Sequence, residues 1–214
     1  MVKVKICGIT RRSDALLASN LGAAFLGFIF WEKSPRYIRP YEAKEIVSTL
    51  PSTVTPVGVF VDASSGWVKE VASIVNLSVV QLHGRETVEY SKSLPYHVIK
   101  AVPLRSPRDI EEAKSLPSEI TVLIDAYDPI KKGGTGRAVN WSTASLVSKG
   151  RRVFLGGGLS PENVAKAITK VRPYAVDASS RLESTPGVKD GLLLHAFFEA
   201  VNSVSFNDSE QDIQ

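Results

Sequence analysis

A chain of 214 residues, 43% of them hydrophobic, is long enough for one well-cored domain. Its net charge of +4 comes from 26 basic and 22 acidic residues; the basic residues fall in short pairs (Arg11-Arg12, Lys131-Lys132, Arg151-Arg152), not on a clustered face with interleaved aromatics, which argues against nucleic acid and for a small anionic ligand. One cysteine closes no intramolecular disulfide and three scattered histidines supply no zinc ligand set; no apolar run nears the ~20 residues that span a bilayer, and Met1-Val2-Lys3-Val4-Lys5 lacks signal-peptide order, so a cytoplasmic protein with no membrane partner is expected.

The first stretch, Val2 to Thr10, reads as a strand ending in a turn. Side chains alternate across a strand, so Lys5 and Cys7 share one face while Val4 and Ile6 share the other. Gly8 turns the backbone, and Ser13 or Asp14 is expected to cap a helix running to Leu21. Strand-length apolar runs then alternate with helical patterns. The strands are predicted at Ala24–Phe30, Thr55–Val61, Ser78–Leu82, His97–Pro103, Ile120–Ala126, Arg152–Leu155 and Tyr174–Asp177. The helices between them are Tyr41–Leu50, Ser64–Val75, Glu86–Leu94, Pro107–Leu116, Trp141–Ser148, one opened by Ser160-Pro161-Glu162-Asn163, and Asp190–Val201. Continuously apolar strands separated by helices imply a parallel sheet covered by helices. Eight such units in about 200 residues match the short end of a single-domain (β/α)8 TIM barrel. An open doubly wound sheet calls for a glycine fingerprint after the first strand, and Cys7-Gly8-Ile9-Thr10-Arg11-Arg12 is not one. The barrel is expected over residues 1–202, followed by a polar, frayed tail over 203–214.

Barrel active sites lie at the C-terminal strand ends. There this chain places Cys7, Gln81 and His83, Asp125, and Asp177 with Ser179. Cys7 is open to three readings: nucleophile, proton-transfer group, or small buried hydrophobe. Paired with Asp125 across the barrel mouth, it becomes one half of an acid/base couple. A thiolate there needs a depressed pKa, which Lys5 on the same face could supply; a buried, paired structural lysine is the other reading of Lys5. Gly156-Gly157-Gly158, between a strand and a helix, lets backbone approach an anion, with helix-start amides as donors. Ser179, Ser180 and Arg181 add hydroxyls and a cation. A second glycine run, Gly133-Gly134-Thr135-Gly136, lacks Walker spacing and reads as a loop over residues 128–138 that closes on the substrate.

In this order, Lys5-Ile6-Cys7-Gly8-Ile9-Thr10, Gln81-Leu82-His83-Gly84, Leu123-Ile124-Asp125-Ala126, Gly133-Gly134-Thr135-Gly136, Gly156 through Val164, and Val176 through Ser180 on to Asp190 strongly resemble the phosphoribosylanthranilate isomerases of tryptophan biosynthesis. The resemblance spans residue 3 to about 200. It implies an Amadori rearrangement with Cys7 as general base and Asp125 as general acid, and no metal or organic cofactor. It also implies Arg36 on the anthranilate carboxylate, Gln81, His83 and Asp177 as substrate-binding residues, and phosphate on Gly156, Gly157, Gly158, Ser179 and Ser180. A phosphorylated small molecule is the expected partner, with a homodimer or contacts to other tryptophan-pathway enzymes left open.

The family usually has Ser-Gly-Val-Glu where this chain has Ser180-Arg181-Leu182-Glu183. Arginine there could add a charge contact, point outward, or crowd a backbone that prefers positive φ. Two rivals stand beside the isomerase: a histidine-pathway sugar-phosphate isomerase, which uses an aspartate where Cys7 stands, and a non-catalytic phosphosugar-binding barrel.

Overall fold

In the computed structural model, residues 1–125 and 140–204 are described. Eight parallel strands close into a barrel in sequence order. They are β1 (Lys3–Cys7), β2 (Phe25–Ile29), β3 (Thr55–Phe60), β4 (Val79–Leu82), β5 (His97–Pro103), β6 (Thr121–Asp125), β7 (Val153–Leu155) and β8 (Ala175–Ala178). The helices between and after them are α1 (Arg12–Asn20), α2 (Pro40–Val47), α3 (Ser65–Val75), α4 (Val88–Lys92), α5 (Pro107–Ser115), α6 (Trp141–Ser148), α7 (Val164–Val171) and α8 (Gly191–Asn202). The seam closes where β1 pairs with β8, with Lys5 opposite Asp177. The expected (β/α)8 barrel is therefore the fold, in a single domain. The glycine-run loop 128–138 and the tail beyond 204 lie outside the described residues.

Strand alternation divides the apolar residues into two cores. Outward residues such as Val4, Ile6, Leu26, Phe28 and Val80 pack under the helices. Inward residues Val57, Val79, Ile99, Ala101, Leu123, Phe154 and Ala175 fill the barrel, with Phe25 and Tyr174 packed against them. Two positions further along the same inward faces stand Cys7 beyond Lys5, Gln81 beyond Val79, Asp125 beyond Leu123 and Asp177 beyond Ala175. Period two and strand direction thus put the polar groups above an apolar plug.

Several local expectations are corrected. Ser13 and Asp14 do not cap α1, which begins at Arg12 with Arg11 as its N-cap. Asp14 is buried inside the helix and accepts the backbone N–H of Lys189 at 2.9 Å. Tertiary contact outweighs the local cap here, because a buried N–H left unpaired costs more than a solvated helix end. Ser160 to Asn163 forms a turn ahead of α7 instead of its first turn. Asn163 accepts from the Ser160 N–H at 2.9 Å and donates to the Gly158 carbonyl at 2.9 Å, so it ties down the glycine run. Between β8 and α8 lie a 3-10 turn (Ser180–Leu182) and a small hairpin, β9 (Glu183–Thr185) with β10 (Val188–Lys189). Strands of three and two residues are too short to leave a period in the sequence. Arg151, of the Arg151-Arg152 pair, is half-buried, and its guanidinium donates to the carbonyls of Ala113 at 2.7 Å and Leu116 at 2.8 Å. It closes the C-terminus of α5, whose last carbonyls have no helical partner.

Candidate active site

The C-terminal strand ends open on one cleft. It is lined by Cys7, Arg36, Gln81, His83, Asp125, Gly157, Gly158, Asp177, Ser179 and Ser180, with Ile29, Trp31, Val59 and Leu159 as apolar wall. Of the residues expected at the site, Gly156 alone does not line it. Its N–H continues the barrel ladder to Ile124 O at 2.7 Å. A Cβ there would stand 3.4 Å from Asp125 Oδ1, so Gly156 leaves room for that carboxylate.

Cys7 is buried among charges. Lys5 Nζ, fully buried, donates to Asp177 Oδ1 at 2.9 Å across the β1–β8 seam. Its charge also acts on Cys7, two residues along the same face. Burial opposes the Lys5 charge, yet Asp177 and Cys7 hold its ammonium above the ordinary lysine value. For Cys7 the balance goes the other way. Burial pushes the thiol up, and the Lys5 ammonium offsets only part of that rise. The depressed pKa expected from Lys5 is therefore corrected: burial holds the Cys7 thiol above its ordinary value. Burial likewise lifts the Asp177 carboxyl against the pull of Lys5.

Gly27, on β2 opposite Cys7, went unnoticed in the sequence. A Cβ at this position would meet Cys7 Sγ at 2.7 Å, the Cys7 Cα at 3.1 Å and Lys5 Nζ at 3.2 Å. The missing side chain is the space the thiol occupies. Gly27→Ala is expected to destabilise the barrel by ~1–3 kcal/mol through overpacking. It should also cut kcat/KM on the order of 10²-fold by displacing the thiol. Thermal melts and turnover measured together check this; a variant with normal turnover would show that the sulfur tolerates displacement.

His83 lies between Gln81 and Asp125. Gln81 Nε2 is 2.9 Å from His83 Nδ1, and His83 Nε2 is 3.1 Å from Asp125 Oδ2. With the amide donating, the imidazole carries its proton on Nε2 and donates it to Asp125. Gln81 is buried, and its Oε1 has no hydrogen-bond partner among the described residues. Gln81 thus faces the imidazole first and any ligand second.

Arg36 is held from below. Its Nε and Nη2 grip Glu183 side-on at 2.9 and 2.7 Å. Glu183 also accepts from Lys189 Nζ at 2.8 Å, and that buried ammonium reaches the carbonyls of Cys7 at 2.7 Å and Ser179 at 3.3 Å. Burial works against the Glu183 charge, but Arg36 and Lys189 hold its carboxyl below the usual range. Burial pushes Lys189 down, against Glu183. This clamp joins β1, β8 and the β9–β10 hairpin. Its signal in the sequence, two charged residues five and more positions past the last strand, is indistinguishable from a solvated loop.

Gly157 and Gly158, which line the same cleft, have φ of +83° and +69°. Side chains are disfavoured at such φ, so the backbone there is open to close approach. Ser179 and Ser180 also line the cleft. Among the described residues no group of three or more His, Cys, Asp or Glu side chains is placed to hold a metal ion.

The family model "N-(5'phosphoribosyl)anthranilate (PRA) isomerase" matches residues 4–200. The N-(5'-phosphoribosyl)anthranilate isomerase of Trichlorobacter lovleyi is 47% identical over 191 residues, covering 89% of this chain and 93% of that protein. A crystal structure of a phosphoribosyl anthranilate isomerase with reduced 1-(o-carboxyphenylamino)-1-deoxyribulose 5-phosphate is 40% identical with a TM-score of 0.86, covering 95% of this chain and all of that one. A structure of monomers generated from the dimeric Thermotoga maritima enzyme matches at the same identity, TM-score and coverage. A full-length match of sequence and barrel, over a cleft that gathers a buried thiol, a carboxylate and a glycine turn, leaves one assignment: the chain belongs to the N-(5'-phosphoribosyl)anthranilate isomerase family.

Proposed function

We propose that Cys7 is the general base and Asp125 the general acid of this isomerase. The reaction converts N-(5-phospho-β-D-ribosyl)anthranilate to 1-(2-carboxyphenylamino)-1-deoxy-D-ribulose 5-phosphate, the third step of tryptophan synthesis from chorismate. What supports the assignment of roles is the convergence of Cys7, from the first strand, and Asp125, from the sixth, on one cleft.

Asp125 gives its proton to the ribose ring oxygen as the C1–O bond breaks. The anthranilate nitrogen supplies the electron pair and becomes an iminium. Cys7, in its thiolate form, takes the C2 proton and becomes the thiol; the C–H electrons form C1=C2, and the enolamine tautomerises to the ketone as a proton returns at C1. Electrons stay within the substrate and one proton taken is one returned, so no co-reactant enters the balance. His83 stabilises the carboxylate left on Asp125 by donating from Nε2, and Gln81 positions that imidazole through Nδ1.

Each remaining group has a matching partner on the substrate. Glu183 holds Arg36 side-on, so the guanidinium's outer edge, Nη1 with Nη2, is the edge left for a second carboxylate, that of anthranilate. Ile29, Trp31 and Val59 suit the aromatic ring. Asp177, steadied by Lys5, flanks the sugar hydroxyls. The phosphate takes the glycine turn at Gly157 and Gly158 together with Ser179 and Ser180. A homodimer is proposed by analogy with the dimeric Thermotoga relative. No helix among the described residues is long and apolar enough to cross a membrane, and a cytoplasmic location is kept as a proposal on that footing.

The deciding experiment is the decay of anthranilate-type fluorescence from freshly made phosphoribosylanthranilate. Rapid, enzyme-dependent decay is expected; phosphosugar binding without decay would return the chain to the non-catalytic barrel. The state of the base is tested separately, because Cys7 is the one cysteine in the chain. The thiol is raised by burial, so its reactive thiolate accumulates only as pH climbs past the ordinary thiol value of about 8.5. Iodoacetamide labelling should therefore have a midpoint above that value. Lys5→Met should move it higher still, since the ammonium favours the thiolate. A midpoint at or below the ordinary value would mean that Lys5 outweighs burial.

A further inference from the structure

The rim of the cleft beside the glycine turn carries a cation that the proton-transfer scheme leaves unused. Arg181 lines the cleft together with Gly157, Gly158, Ser179 and Ser180. It sits in the 3-10 turn after β8 and is not among the residues with positive φ. A full side chain is therefore accommodated there without backbone strain, which settles the concern raised by the sequence. Arg181 is exposed. The cleft's other arginine, Arg36, is committed side-on to Glu183. In the turn between the glycine run and α7 stands Glu162, hydrogen-bonded by the Ser160 hydroxyl. Its carboxyl is held below the usual range, first by that hydroxyl and further by the charge of Arg181.

We propose that Arg181 grips the substrate's phosphate from the rim of the cleft. The proposal rests on phosphate occupying the Gly157–Gly158 turn. The physical reason is charge. A phosphate monoester carries close to two negative charges at neutral pH. The glycine turn and the two serines offer only neutral donors, whereas a guanidinium adds a charge-assisted pair.

Arg181→Ala should raise KM about tenfold with kcat within about twofold, the pattern of a contact made equally in ground and transition states. Inhibition by inorganic phosphate should weaken by a similar factor. Its dependence on salt should flatten in the variant, since exposed charges are screened. Arg181→Lys should restore part of the loss. Equal KM and equal phosphate inhibition in wild type and Arg181→Ala would overturn the proposal. Titration calorimetry of inorganic phosphate on the same proteins keeps this independent of turnover. If phosphoribosylanthranilate is not converted at all, weaker phosphate binding by Arg181→Ala still supports the grip. Equal binding, or no binding to either protein, overturns it.

Discussion

Cys7→Ala is expected to lower kcat by ~10²–10⁴-fold, the range a positioned acid or base contributes, while the barrel stays folded. The side chain is nearly buried and touches few apolar neighbours, because it shares its face with Lys5 and Asp177. Removing the sulfur therefore opens little cavity, and the melting temperature should hold within a few degrees. Cys7→Ser is the sharper comparison. It keeps a hydroxyl in the space that Gly27 leaves, but a hydroxyl gives up its proton far less readily than a thiol. Both variants should bind the product with near-normal affinity, since the contact they remove acts on the C2 proton alone. Near-normal turnover in Cys7→Ala would remove Cys7 from the role of base and return it to the reading of a small buried hydrophobe.

The second large effect is expected at Asp125. Asp125→Asn should also cost ~10²–10⁴-fold in kcat, and the substitution separates two roles. An amide oxygen can still accept from His83 Nε2, so a purely structural tie would survive. An amide has no proton of the right acidity to give the ring oxygen, so an acid would not. The variant should also isolate the base. With no titrating group at 125, residual kcat/KM should rise by about tenfold per pH unit, as a single ionisation requires. It should level off only above the ordinary thiol value, because burial raises Cys7. A flat profile would mean that ionisation of Cys7 does not limit the residual rate.

Much of the molecule was legible before any coordinates. The barrel was readable because eight apolar runs of strand length alternate with helical patterns, and period two put Lys5 with Cys7 and Val4 with Ile6. The chemistry was readable because its side chains end strands whose bodies are apolar. Less legible were features whose cause lies elsewhere in the chain. Asp14 has the residue type and position of a helix cap, yet it serves the Lys189 N–H, 175 positions away. Arg151 looks like half of a basic pair, yet it closes the end of α5. Gly156 belongs to the same run as Gly157 and Gly158 but continues a strand, while its two neighbours turn into the cleft.

The sequence by itself determined the fold class, the end of the barrel where the cleft opens, and nearly all of the polar residues that line it. These depend on periodicity and on residue type, which are local properties of the chain. Only the tertiary structure decided the charge states and the orientations. Closing the barrel sets Lys5 against Asp177 across 172 residues, and Arg36 against Glu183 across 147. The same closure buries Cys7 so deeply that desolvation outweighs a neighbouring ammonium. Desolvation and Coulomb energies depend on distance and surrounding dielectric, and both are set by the folded packing of segments far apart in the chain.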